Sequence, residues 1–231
     1  MSETLLHAVR LSVDLAGHTA LDGIALTVAA GEVVAVVGTN GAGKSTLLRA
    51  CAGLLPTATG ELALAGNDPR QADPAWLASR RAYAPQHPAS AWDFTLAELG
   101  ALAPSAAEYT RWLERFGLGT LTTRRLSQLS GGERKLAHLC LTFGALGDAY
   151  GKVLLLDEPT TALDLCRAEL VARAVQASAQ AGAAVLVATH DLAWARSADR
   201  VLVLDEGRLI AHGPPSAALT AELVRATWGV A

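Results

Sequence analysis

Residues 33–46 read Val-Val-Ala-Val-Val-Gly-Thr-Asn-Gly-Ala-Gly-Lys-Ser-Thr. Five apolar residues run directly into Gly38-Thr39-Asn40-Gly41-Ala42-Gly43-Lys44-Ser45, which follows the G-x-x-x-x-G-K-[ST] pattern of a phosphate-binding loop. A helix-compatible run, residues 46–52, leaves it. The glycines let the main chain turn its N–H groups inward around an anion. The helix that follows adds its positive N-terminal end. Gly38, Asn40, Gly41, Ala42, Gly43, Lys44, Ser45 and Thr46 are therefore the expected cradle of a nucleoside triphosphate. Lys44 reaches the β- and γ-phosphates, and the Ser45 hydroxyl is placed for Mg²⁺.

Four more stretches carry chemistry. Tyr83-Ala84-Pro85-Gln86 closes a segment on a glutamine, and Leu-Ser-Gly-Gly-Glu at 129–133 precedes a helix-compatible run. Val-Leu-Leu-Leu-Asp-Glu at 153–158 is an apolar strand ending in two carboxylates, followed by Pro-Thr-Thr-Ala-Leu-Asp at 159–164. Val-Leu-Val-Ala-Thr-His-Asp at 185–191 is another strand, ending at a histidine. These strands are apolar throughout, as parallel strands buried on both faces are.

In this order, the phosphate loop, Gln86, Leu-Ser-Gly-Gly-Glu, the Asp-Glu strand, Ala-Leu-Asp and Thr-His-Asp resemble the ATP-binding subunit of ABC transporters. The resemblance covers nearly the whole chain. It implies an α/β fold: a P-loop NTPase (RecA-like) core with a small antiparallel β layer and an inserted helical subdomain. It also implies a site for ATP and Mg²⁺, with Ser45, Gln86 and Asp157 toward the metal. Glu158 would be the general base for the attacking water, His190 would contact the γ-phosphate, and Gln86 would touch the metal or the water. Ser130, Gly131 and Gly132, with Asp164 at the same interface, would close on the ATP of a second copy packed head to tail. Transport-coupled ATP hydrolysis follows, on the cytoplasmic face of the inner membrane. The partners would be transmembrane permease subunits and, indirectly, a substrate-binding protein. Residues 80–86 and the loop at 144–152 resemble importers of chelated iron, haem or cobalamin, which makes a metal chelate or related cofactor the expected cargo. Trp92-Asp93-Phe94 resembles manganese/zinc importers instead. A soluble ABC-type ATPase of DNA repair or translation is the other alternative, although such chains carry two cassettes or a long coiled insertion. Three positions depart from the family pattern: Leu15 stands where an aromatic residue stacks on adenine, Leu136 where arginine is frequent, and Thr161 where serine is common. Leu15 is expected to give apolar contact, with His18 close by.

A chain of 231 residues suits one domain, and a net charge of −3 gives no general drive toward nucleic acid. No apolar run reaches the roughly 20 residues of a spanning helix, and the first residues lack the positive region of a signal peptide. Cys51, Cys140 and Cys166 are far apart and show no metal-ligand or disulfide spacing, so they read as reduced thiols. Arg80-Arg81, Arg124-Arg125 and Arg134-Lys135 read as ordinary solvated or ion-paired surface. The expected organisation is a nucleotide core at 1–86 and 146–231 with a helical subdomain at 87–145. Residues 87–94 are expected to be loop-like and exposed, as a contact for a membrane chain. Trp112 and Phe116 are expected to fill the subdomain's own core. The helix over 165–181 is expected to bury Leu170, Ala174 and Val175.

Overall fold

Strands β1 (Thr4–Leu15) and β2 (His18–Ala29) form an antiparallel hairpin in the computed structural model, which describes residues 3–88 and 92–229. Ala89, Ser90 and Ala91, part of the expected loop, lie outside the described residues. β3 (Val33–Gly38) enters the phosphate loop and α1 (Lys44–Cys51) leaves it. β4 (Thr59–Leu64), α2 (Pro74–Arg80) and β5 (Arg81–Ala84) follow. A helical block comprises α3 (Leu96–Ala101), α4 (Ala106–Arg115) and α5 (Gly131–Leu146). The chain continues through β6 (Val153–Asp157), α6 (Leu165–Gln180), β7 (Ala184–Ala188) and α7 (Leu192–Ala195). The hairpin β8 (Arg200–Asp205) and β9 (Arg208–Gly213), then α8 (Pro215–Ala218) and α9 (Ala221–Trp228), complete it.

The main sheet runs β5-β6-β7-β3-β8-β9, parallel except for β9. A second, antiparallel sheet runs β2-β1-β4. The pleat explains why the main strands are apolar at every position. In β3, Val33, Ala35 and Val37 face the helices, while Val34 and Val36 face α1 and the antiparallel sheet. Leu154 and Leu156 of β6 take the first side, and Val153 and Leu155 take the second. Both faces are covered, and the carboxyl ends of β3, β5, β6 and β7 share one edge. Ligands bind at that edge in open parallel sheets.

Three expectations change. α6 buries Val171, Ala174, Val175 and Ala179, whereas Leu170 is 38 % exposed. One residue is about 100° of helix, so a face drawn one position early points outward. Trp112 stacks on Phe143 at 4.6 Å and Phe116 meets the same ring, but this cluster is continuous with the core under the main sheet. The reason is α5, which serves the helical block through Phe143 and the sheet through its other buried residues. Within 87–94, Trp92 is 72 % exposed as expected, while Phe94 is half-buried against the core. No helix among the described residues is long and apolar enough to cross a membrane.

Candidate functional site

The phosphate loop and the ends of neighbouring strands enclose a cavity of about 620 Å³. Asn40, Gly41, Ala42, Gly43, Lys44, Ser45 and Thr46 form its floor; Gly38 sits just before them at the end of β3. Gly43 has φ +100°, and a Cβ there would come within 2.7 Å of the Ala20 carbonyl oxygen, so glycine is required on both counts. The Lys44 amine is folded into the loop, donating to the carbonyls of Gly38 and Thr39 at 2.8 Å each. Burial pulls its pKa down, opposed by the charges of Glu158 and Asp157.

Asp157 and Glu158 stand where β6 ends. Burial pushes the Asp157 carboxyl above the usual carboxylate range; the Ser45 hydroxyl draws it back, and the Glu158 charge adds to the rise. Its Oδ1 is buried with no hydrogen-bond partner among the described residues. Such an atom next to a hydroxyl fits a hard cation whose remaining ligands come from phosphate and water. No group of three or more His, Cys, Asp or Glu side chains that could hold a metal occurs among the described residues.

Glu158 adopts φ +51°, a left-handed conformation that costs a β-carbon-bearing residue free energy. The turn points its carboxylate into the cavity. There the Thr161 hydroxyl donates to Oε2 at 3.1 Å, and His190 Nδ1 lies 2.7 Å from the same oxygen. His190 follows β7, whose neighbour in the sheet is β6. Strand order thus brings Glu158 and His190 together. Gln86 also lines the cavity, two residues beyond β5.

Ser130, Gly131 and Gly132 start α5 and do not line this cavity. The Ser130 hydroxyl accepts from the Glu133 N–H at 3.2 Å, and Glu133 Oε2 accepts from the Ser130 N–H at 2.9 Å. Asp164 caps α6 by accepting from the Arg167 N–H at 2.9 Å. Arg167 then reaches Glu133 at 3.5 Å, joining the two helix starts. Leu15, at the end of β1, is 37 % exposed and is not in the cavity lining, whereas His18, Thr19 and Ala20 at the start of β2 are. Glu206 and Gly207, from the β8–β9 turn, complete that end. Nothing in the local sequence marks Thr19 or Glu206, because it is tertiary packing that brings the start of β2 and the β8–β9 turn to the phosphate loop.

The surface reading fails for two basic residues. Lys135 is half-buried and donates to the Gln86 carbonyl at 3.0 Å, and Arg81 is half-buried with its Nε unpartnered among the described residues. Each lies at a junction between β5 and the helical block, which covers part of its stem. Leu136, in place of arginine, is fully buried.

Residues 21–161 match the model of the ABC transporter family. The hemin import ATP-binding protein HmuV of Bradyrhizobium diazoefficiens is 44 % identical over 217 residues, 89 % of this chain and 81 % of that protein. HmuV of Streptomyces coelicolor is 42 % identical, covering 93 % of this chain and 79 % of that one. A solved ATP-binding subunit of an ABC transporter superposes with a TM-score of 0.80 at 28 % identity, covering 98 % of this chain and 94 % of that one.

Proposed function

The chain belongs to the ABC transporter family as an ATP-hydrolysing subunit, and we propose that it energises import of haem or a related metal chelate. Membrane permease subunits are the partners of such an ATPase. It docks on the cytoplasmic face of those chains, and a substrate-binding protein acts on them from the other side. The cargo reading is supported by the relatives' role in hemin import.

One observation carries the hydrolytic mechanism: the Glu158 carboxylate lies in the lining of the phosphate-loop cavity, fixed by Thr161 and His190. The loop N–H groups and Lys44 hold the β- and γ-phosphates, with His18 toward the nucleoside end. Ser45, Asp157 and Gln86 would hold Mg²⁺, which supplies charge neutralisation across the phosphates when bound. Glu158 takes the proton of the attacking water. His190 steadies that carboxylate through Nδ1 and presents Nε2 to the γ-phosphate. Ser130, Gly131 and Gly132, with Asp164, complete the site of a second copy packed head to tail.

The test is to co-express the chain with its permease, reconstitute both in liposomes and follow ATP hydrolysis. Stimulation by a haem-loaded binding protein is expected, with Lys44→Ala losing ATP affinity as the control. Stimulation by manganese or zinc alone would replace the cargo. Hydrolysis indifferent to any membrane chain would return the protein to the soluble ATPases.

A further inference from the structure

Lys135 stands on α5, five residues beyond the Ser130 cap, yet its side chain turns into the protein. Its Nζ donates to the main-chain carbonyl of Gln86 at 3.0 Å. That carbonyl belongs to a segment with no regular structure, between Pro85 and Pro88, and prolines bring no N–H with which to anchor it. Among the described residues this is the hydrogen bond that ties the Gln86 segment to α5.

The surroundings make the bond more than a local fastening. Lys135, Gln86 and Gly131 border a cavity of about 230 Å³ with Thr161, whose hydroxyl holds the Glu158 carboxylate. Three segments meet there: the start of α5, the Gln86 segment and the turn after Glu158. Burial lowers the pKa of the amine, and the charges of Asp157 and Glu158 raise it again. A half-buried ammonium is unfavourable unless its donors are used and opposite charge is near. The Gln86 carbonyl and the two carboxylates meet both needs.

We propose that Lys135 is a positioning residue for hydrolysis: by holding the Gln86 carbonyl it sets where the glutamine side chain stands relative to Asp157 and Glu158, and so joins the helix that begins at Ser130 to the hydrolytic centre. This rests on the reading that Gln86 acts at the metal or the attacking water. The amine lies outside the lining of the phosphate-loop cavity. Its removal should therefore lower kcat while leaving KM for ATP nearly unchanged, because Lys44 and the loop still bind the phosphates.

The test is a double-mutant cycle in steady-state ATP hydrolysis, run on the chain in complex with its permease. Lys135→Met should lower kcat about tenfold, the scale of losing a charged hydrogen bond, with KM for ATP within about twofold of wild type. Lys135→Arg should recover most of the loss, since a guanidinium still donates to a carbonyl. Gln86→Ala keeps the carbonyl and removes the side chain being positioned. Adding Lys135→Met to Gln86→Ala should then cost nothing further. Wild-type kcat in Lys135→Met beside a slow Gln86→Ala overturns the proposal, as do effects that simply multiply in the double variant. Wild-type kcat in Gln86→Ala overturns the role of Gln86 itself, and with it the link through Lys135. Should Lys135→Met fail to fold by circular dichroism, Lys135→Ala, which also lacks the donor, takes its place in the same cycle.

Discussion

The Nδ1 atom of His190 lies 2.7 Å from Oε2 of Glu158. A carboxylate only accepts, so Nδ1 donates in that bond; a phosphate oxygen likewise only accepts, so the proposed contact through Nε2 requires a proton on Nε2 as well. The Glu158 side chain is 7 % exposed and the imidazole 63 %. One partner is fixed in the protein, and the other is open to solvent.

Removing the imidazole should therefore disturb the chemistry more than the binding. His190→Ala is expected to slow hydrolysis by at least about tenfold, in line with the cost of a misplaced catalytic group. Its ATP affinity by calorimetry should stay within a few-fold of wild type. A variant that loses affinity and keeps kcat would place His190 in binding alone.

Glu158→Gln preserves shape and an acceptor for Thr161 but cannot take a proton. Turnover should fall by at least about a hundredfold, the usual contribution of a positioned base, while Mg-ATP still binds. Steady-state phosphate release close to wild type would remove Glu158 from this role.

The start of α5 lies outside the phosphate cavity, and in the proposed head-to-tail packing a second copy supplies it. Glu158→Gln with Mg-ATP should form a two-fold dimer, and Ser130→Arg should abolish that dimer while leaving monomer ATP binding largely intact. Light scattering distinguishes the two. A Glu158→Gln protein that stays monomeric even with its permease sinks the idea.

Thiol chemistry should report the fold. Cys51 is buried, with its pKa pushed up to about 12; burial also pushes the Cys140 thiol up, and Cys166 is exposed. The thiolate is the reactive form. Ellman's reagent should find one fast thiol in the native protein and all three after denaturation; Cys166→Ser should remove the fast one.

Arg70 organises the start of β4: it donates to the carbonyls of Ala58 and Gly60 at 2.7 and 3.0 Å and pairs with Asp68 at 2.6 Å. Arg70→Met should cost about 1–3 kcal/mol, as losing charged hydrogen bonds does, measured by denaturant unfolding at neutral pH. The Arg70 hydrogen bond holds the Asp68 carboxyl below its usual range. A folded-state value below the unfolded one contributes stability at neutral pH, and that contribution fades as pH falls through the folded value, below about 4. The gap between variant and wild type should narrow in acid, leaving the part due to the carbonyls.

The strands and the site residues near them were legible because their signals are local. An apolar run buried on both faces, or a carboxylate pair closing such a run, is visible within a few residues. Asp157, Glu158 and His190 converge because β6 and β7 are neighbours, which the ordered motifs imply. What stayed hidden depends on packing between distant segments. Lys135 looks like half of a basic surface pair until α5 is laid against the Gln86 segment. Val171 and Leu170 are equally apolar, and only the tilt of α6 on the sheet decides which is covered. His18 enters the cavity lining, and Leu15 does not, through the geometry of one hairpin turn.

The left-handed backbone of Glu158 has a consequence for any effort to harden this protein. Glycine adopts φ +51° without the β-carbon clash, so the substitution that relaxes the strained turn also deletes the proposed base. A selection for heat resistance alone, with no demand for turnover, rewards the loss of that side chain. Directed evolution of this scaffold needs activity as a second criterion in every round, or it drifts toward a sturdier nucleotide-binding protein that no longer hydrolyses.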